Sequence, residues 1–219
     1  MKGKALIEQG SSHALQQVYG AKDADELESA YADWANDYDR ETAELGYCLP
    51  FIVPAWLARY TPPSAGAVLD AGCGTGLSGP YLKALGYPHV EGVDLSADML
   101  EFAQARGVYA DLKRAKLGEK LPWPDGHFAA VVAAGVFTAG HAPPSSFDEL
   151  TRVTETGGHI IFSLRDCLIN GAGFGAKLEQ LEKQGLWRLT ERSPPFRTFA
   201  VAEPEVFGHV YVYQVMRRS

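Results

Sequence analysis

"VLDAGCGTGLSG", Val68 to Gly79, is the stretch on which the reading of this chain turns. An apolar run enters an acid and then meets glycine at positions 72, 74 and 76. Such a run bounded by turn residues reads as a short buried strand. A glycine-crowded turn directly after it exposes backbone to a ligand. The dinucleotide fingerprint G-x-G-x-x-G/A needs a third small residue, and here that position is Leu77, with the glycine one place early at Gly76. No Gly-Lys-Ser/Thr follows either, so the loop is not a phosphate loop. The spacing therefore points to a ligand that lacks a pyrophosphate.

Working outward, strand-like and helix-like segments alternate. Residues 66–72 form the first strand and 77–86 a helix, with Pro80 in its first turn and Gly86 as its stop. Residues 89–95 are the second strand, and Ser96 caps a helix over 97–106 that Gly107 closes. Residues 108–112 read as the third strand. "FAAVVAAGVF" (128–137) is the fourth, apolar throughout, as a strand covered on both faces should be. A helix and turn over 145–158 delivers a fifth strand at 159–166, and 177–186 is another helix. Strands near 186–193 and 206–218 follow each other without a convincing helix between them, which predicts an antiparallel hairpin at one edge. The expected architecture is α/β: a doubly wound, seven-stranded, mostly parallel sheet, residues 66–219. Residues 1–65, helical in character, are expected to cap the C-terminal edge of the sheet, where such folds bind ligands.

Bulk properties bound the function. A net charge of −7 over 219 residues argues against a sequence-independent grip on nucleic acid or an anionic membrane. The basic run from Lys113 to Lys116 reads as a solvated face. Three dispersed cysteines, Cys48, Cys73 and Cys167, support neither a disulfide framework nor a zinc site, and no metal is expected. The first twenty residues lack an apolar signal segment and no stretch is long enough to span a bilayer, so a cytoplasmic protein is expected. Cys73 reads as a small buried filler, because no basic partner stands beside it in sequence.

The nucleoside half of a ligand has candidate partners. Asp94 ends the second strand about 20 residues beyond the loop, where a carboxylate accepts from ribose hydroxyls. Asp111, read as ending the third strand, is placed to accept from an adenine amino group. "VLDAGCGTG", "GVDLSADML" and "LPWPDGHFAAVV" together resemble the class I S-adenosylmethionine-dependent methyltransferases, from about residue 31 onward. The resemblance implies the Rossmann-like methyltransferase fold and S-adenosylmethionine as cofactor. It also implies that Gly72 and Gly74 let backbone meet the methionine moiety while Asp70 orients the loop. Asp94 would hold the ribose, with Leu95 and Met99 against the adenine, and Asp111 and Leu112 at its edge and face. Gly135 and Val136 would line the pocket near the sulfonium. Tyr31, Trp34 and Tyr38 recur at roughly helical spacing, and read either as a packing face or as a cover over the cofactor.

A sulfonium is already an activated methyl donor, so the acceptor side needs little chemistry beyond alignment. His141 is the candidate base or acceptor contact, with a backbone-bonded loop histidine as the alternative. Arg165 and Asp166 either pair with each other or bind the acceptor. The remaining histidines show no clustering in sequence. No Asn/Asp-Pro-Pro-Tyr/Phe follows the fourth strand, which argues against an amino-methylating nucleic-acid enzyme of that type. The expected acceptor is a small molecule with an apolar or aromatic body, admitted under the N-terminal helices and the 193–204 segment. A protein methyltransferase and a non-catalytic cofactor-binding module acting through partners are the other readings.

Overall fold

The computed structural model describes residues 24–138 and 142–216. Two helices, α1 (Ala24–Leu45) and α2 (Leu49–Tyr60), precede a single sheet. Its parallel half contains β1 (Val68–Ala71), β2 (Val90–Asp94), β3 (Asp111–Arg114), β4 (Phe128–Phe137) and β5 (Thr154–Arg165). Helices α3 (Gly79–Ala84), α4 (Ala97–Ala105) and α5 (Ser146–Val153) connect these strands. Beyond β5 come α6 (Asp166–Gly171), α7 (Phe174–Lys183), β6 (Trp187–Arg192), β7 (Phe196–Arg197) and β8 (Phe207–Val215).

The strand order is β3-β2-β1-β4-β5-β8-β6, with β7 pairing to β8. The antiparallel pair expected at one edge is present, but β8 lies inside it, between β5 and β6. The short β7 makes eight strands where seven were expected. The reason is local: "SPPFRTFAVAEP" supplies two residues that reach back to Phe207 and Gly208 before the chain enters β8. The order reverses direction between β1 and β4, and that switch point is where an open α/β sheet leaves a crevice beyond its strand ends.

Strand β4 explains why both faces are covered. Val131 and Ala133 join a core with Phe147, Phe162, Trp187 and Tyr213 on one side. Ala130 and Val132 face the other, against Val53 and Leu57 of α2 and Leu82 of α3. Within the segment expected as a cap, α2 is thus part of the sheet's own core, and Leu57 is wholly buried. On the first face, Trp187 stacks on Tyr213 at 4.2 Å and Phe147 lies 4.7 Å from Phe162, so aromatic contacts tie β6 and β8 to α5 and β5.

At the opposite end of the sheet from the crevice, buried Glu91 gathers His89 (3.1 Å), His127 (3.0 Å) and the Trp123 indole (2.6 Å). Burial raises its carboxyl, and hydrogen bonds from His127, Trp123 and His89 more than offset that, leaving it below the usual range. Histidines that look scattered in sequence are therefore partly clustered, as a pin between β2 and the approach to β4.

Because α2 belongs to the core, Leu57→Ala should cost about 2–5 kcal/mol in urea unfolding, the usual range for a fully buried leucine. Leu189→Ala, at a half-exposed position on β6, should cost far less. Equal effects would detach α2 from the cooperative core.

Candidate cofactor and acceptor site

The glycine loop leaves β1 at the switch point, and its glycines do different things. A side chain on Gly72 would run into the Val136 methyls at 2.6 Å, so this position is glycine because β4 packs directly over it. Gly74 also has positive φ (54°), but a Cβ there would meet nothing within 4 Å. Backbone at Gly74 is open toward the crevice, which is the cradle a ligand's tail requires. The sequence reading gave both glycines one task; the structure divides it between them.

Asp94 stands across the loop. Its carboxylate accepts from the Gly74 amide at 2.8 Å and from the Ser96 amide at 3.0 Å. The first bond stitches the loop to the end of β2, and the second helps open α4, which Ser96 caps through the Met99 amide at 3.3 Å.

Beneath the loop, Asp70 is buried and accepts from the Tyr109 hydroxyl at 2.7 Å. Burial pushes its carboxyl up to about 7, against the lowering effect of the Tyr109 bond, and the Asp94 charge adds to the rise. Burial likewise drives the Tyr109 phenol and the Cys73 thiol upward. Cys73 is thus a protonated filler in the loop. Tyr109 escaped the sequence reading, and its position just after the Gly107 turn was the only available signal.

The third strand begins later than expected. Asp111 opens β3 instead of ending it, and its register partner is Glu91, while Arg114 lies level with Asp94. Three residues of strand, about 10 Å, therefore separate the level of Asp111 from that of Asp94. The structure does not bring these two acids together. Leu112 lies over Gly92 beside the Cys73 sulfur, below the loop. Met99 is buried, and Leu95 is half-buried with its carbonyl accepting from Arg114 Nε at 2.8 Å.

A cleft of about 540 Å³, counted with its open mouth, lies beyond the ends of β4 and β5. Gly135 is in its wall, held by its amide's 2.8 Å bond to Ser163 Oγ, and the Tyr47 hydroxyl rests against it. Trp34 and Tyr38 of α1 close one side, packed edge to face at 4.7 Å. Thr198 and Phe199 from the 193–204 segment close another, with Phe199 5.2 Å from Tyr47. The side chain of Tyr31 and the whole of His141 lie outside the described residues.

Arg165 and Asp166 do not pair with each other. Arg165 lines the cleft with Glu203 3.6 Å from Nη2, whereas Asp166 meets His209 at 2.9 Å. The strand end turns consecutive side chains to opposite faces, so neighbours in sequence find separate partners. A further contact missed in sequence fixes α1 over the site. Asp39 accepts from the Thr75 hydroxyl at 2.6 Å and pairs with Arg106, whose Nε donates to the Thr75 carbonyl at 2.6 Å. The helix that carries Trp34 and Tyr38 is thereby latched to the glycine loop itself.

Asp70 gives the fold a testable pH dependence. Between the ordinary value of 3.8 and about 7, the folded state keeps a proton that the unfolded chain has released. Stability then falls as pH rises through that window and levels off above it. Asp70→Asn should abolish this limb, an effect on the order of 4 kcal/mol in urea titrations run from pH 4 to 8. Parallel profiles for the two proteins would remove Asp70 as its source.

With this geometry in hand, the chain can be compared with known proteins. The methyltransferase domain family matches residues 69–162, from β1 to β5. Human methyltransferase-like protein 27 is 36% identical over 179 residues, 79% of this chain and 73% of that protein. Bovine 18S rRNA (guanine-N(7))-methyltransferase is 42% identical over 66 residues, 30% of this chain and only 23% of the relative. A solved TehB-like S-adenosylmethionine-dependent methyltransferase from Corynebacterium glutamicum shares the fold at a TM-score of 0.61 and 22% identity, covering 85% of this chain and 99% of its own. A glycine loop at the switch point, an acid across it and this similarity together mean that the chain belongs to the S-adenosylmethionine-dependent methyltransferases.

Proposed function

We propose that this methyltransferase acts on a small-molecule acceptor with an apolar or aromatic body, seated in the cleft between α1, the ends of β4 and β5 and the 193–204 segment. The observation that carries the reading is the aromatic wall of that cleft. Trp34, Tyr38, Tyr47, Phe137 and Phe199 line it, and small-ligand sites are lined mainly by apolar and aromatic side chains with a few polar groups among them. A protein acceptor would call for an open groove. A nucleic-acid acceptor, as in the rRNA-modifying relative, would call for a basic track; this chain carries a net charge of −7, and among the described residues one cation lines the cleft.

The crevice fits the cofactor through the open backbone at Gly74 and the Asp94 carboxylate that stands across the loop from it. S-adenosylmethionine, when bound, supplies a sulfonium with a transferable methyl group. Backbone at Gly74 would meet its methionine moiety while Gly72 seats the loop against β4, with Asp94 at its ribose and Leu95 and Met99 on the adenine side. Gly135 and Val136 would stand near the sulfonium, at the junction of crevice and cleft. Asp111 has no part in this set, given its place at the start of β3.

The protein's own contribution is positional. Asp39, Thr75 and Arg106 hold α1 against the loop, so Trp34 and Tyr38 cover the cleft, with Tyr31 one turn earlier on the same helix. That cover excludes water and fixes the approach of the acceptor. His141, which follows β4 in sequence, is the residue we propose as base or acceptor contact. The reading places the enzyme in the cytoplasm, with no membrane partner; no helix among the described residues is long and apolar enough to cross a bilayer.

Labelled methyl transfer into fractionated cell extract tests the acceptor class. Label should appear in a low-mass fraction that resists protease and nuclease; label in protein or RNA would sink the proposal. On the cofactor side, calorimetry should show binding of S-adenosylmethionine and its demethylated product but not of NAD. Asp94→Ala should weaken that binding by about 1–3 kcal/mol, the cost of stranding hydroxyl groups and loosening the loop. An unchanged affinity would take Asp94 out of the site.

A further inference from the structure

We propose that the acceptor cleft recognises a carboxylate, held by the Arg165 guanidinium and the Thr198 hydroxyl while the aromatic wall takes the acceptor's apolar body. This deepens the small-molecule reading above and rests on it. Three observations converge. Arg165 is the one charged side chain among the described residues that line the cleft, and no Asp or Glu lines it. Thr198, also in the lining, is 2% exposed, and its Oγ1 has no hydrogen-bond partner. A buried hydroxyl left in that state is costly in a folded protein unless a ligand completes it.

The third observation lies behind Arg165. Glu203 sits 3.6 Å from Nη2, an ion pair longer than a hydrogen bond, and its Oε2 is buried with no hydrogen-bond partner. Glu203 is also the only non-glycine residue with positive φ (44°) among the described residues. Backbone strain of this kind persists where surroundings impose it, and it clusters at ligand sites. The strained turn holds a carboxylate against the guanidinium and so orients it, and Arg165 itself is in the cleft lining. A planar guanidinium matches the two oxygens of a carboxylate, and a hydroxyl beside it adds a third donor. Tyr38, Tyr47, Phe137 and Phe199 then supply the apolar contact for the rest of the molecule.

The test uses the full chain with S-adenosylhomocysteine bound, titrated with benzoate, phenylacetate, hexanoate and octanoate, and with the matching primary amides. At least one carboxylate should bind about 10-fold or more tightly than its amide, since the amide lacks the charge and turns a donor toward Arg165. Arg165→Gln should remove that preference, and Arg165→Lys should restore part of it, with S-adenosylhomocysteine affinity unchanged in both. Thr198→Val separates recognition from structure. Losing an unpartnered hydroxyl should leave the melting temperature equal or higher while the carboxylate affinity drops.

Amides binding as well as acids, no carboxylate binding at all, or Arg165→Gln keeping the preference would each overturn the carboxylate proposal and leave the small-molecule reading standing. A Thr198→Val protein that melts lower with carboxylate affinity intact would overturn the part given to Thr198. Failure of the wild-type chain to bind S-adenosylhomocysteine would overturn both readings together.

Discussion

Contact between Val136 and Gly72 across the boundary of β1 and β4 is the constraint on which the site depends. Two parallel strands leave this boundary with their connections running to opposite faces, so a crevice opens above them. The Val136 methyls fill the space a side chain at position 72 would need, and the glycine loop then curls over β4 with Gly74 facing outward. Everything that follows, from the Asp94 bond to the Gly74 amide to the placement of Gly135 in the neighbouring cleft, uses that fixed loop.

The loop is held from three directions, each by a buried or half-buried polar contact. Tyr109 supports it from below through Asp70, Asp94 ties it to β2, and Asp39 reaches it from α1 through Thr75 and Arg106. The last of these joins two functions in one structure. The helix that closes one side of the cleft is bonded to the glycine loop, so the two regions are in direct contact. Burial pushes the Asp70 carboxyl up to about 7, so it keeps its proton through the mildly acidic range in which an ordinary aspartate has lost it.

The acceptor side follows a different principle. Its wall is assembled from segments far apart in sequence: α1, the Tyr47–Leu49 connection, the ends of β4 and β5, and the excursion between β7 and β8. The isolated bridge between Tyr47 and Phe199 draws two of these together. Such a wall can change composition without disturbing the loop, which suits a family whose relatives include both an rRNA methyltransferase and the human methyltransferase-like protein 27.

The parallel sheet and the glycine loop were legible in the residues themselves, because local periodicity, turn chemistry and the position of Leu77 act over a few neighbouring residues, and the resemblance of the motifs supplied the cofactor class. The same locality explains the errors. Asp111 looked like a strand end because "VYADL" carries the apolar signal, yet hydrogen-bond register with β2 starts the strand at Asp111 and carries the acid away from Asp94. The insertion of β8 ahead of β6, the separate partners of Arg165 and Asp166, the Glu91 cluster and the Asp39 latch all depend on contacts between distant segments. Sequence by itself determined which methyl donor this chain is built around. Only the tertiary structure decided which side chains line the cleft, because that wall exists nowhere along the chain until the sheet and its helices have packed.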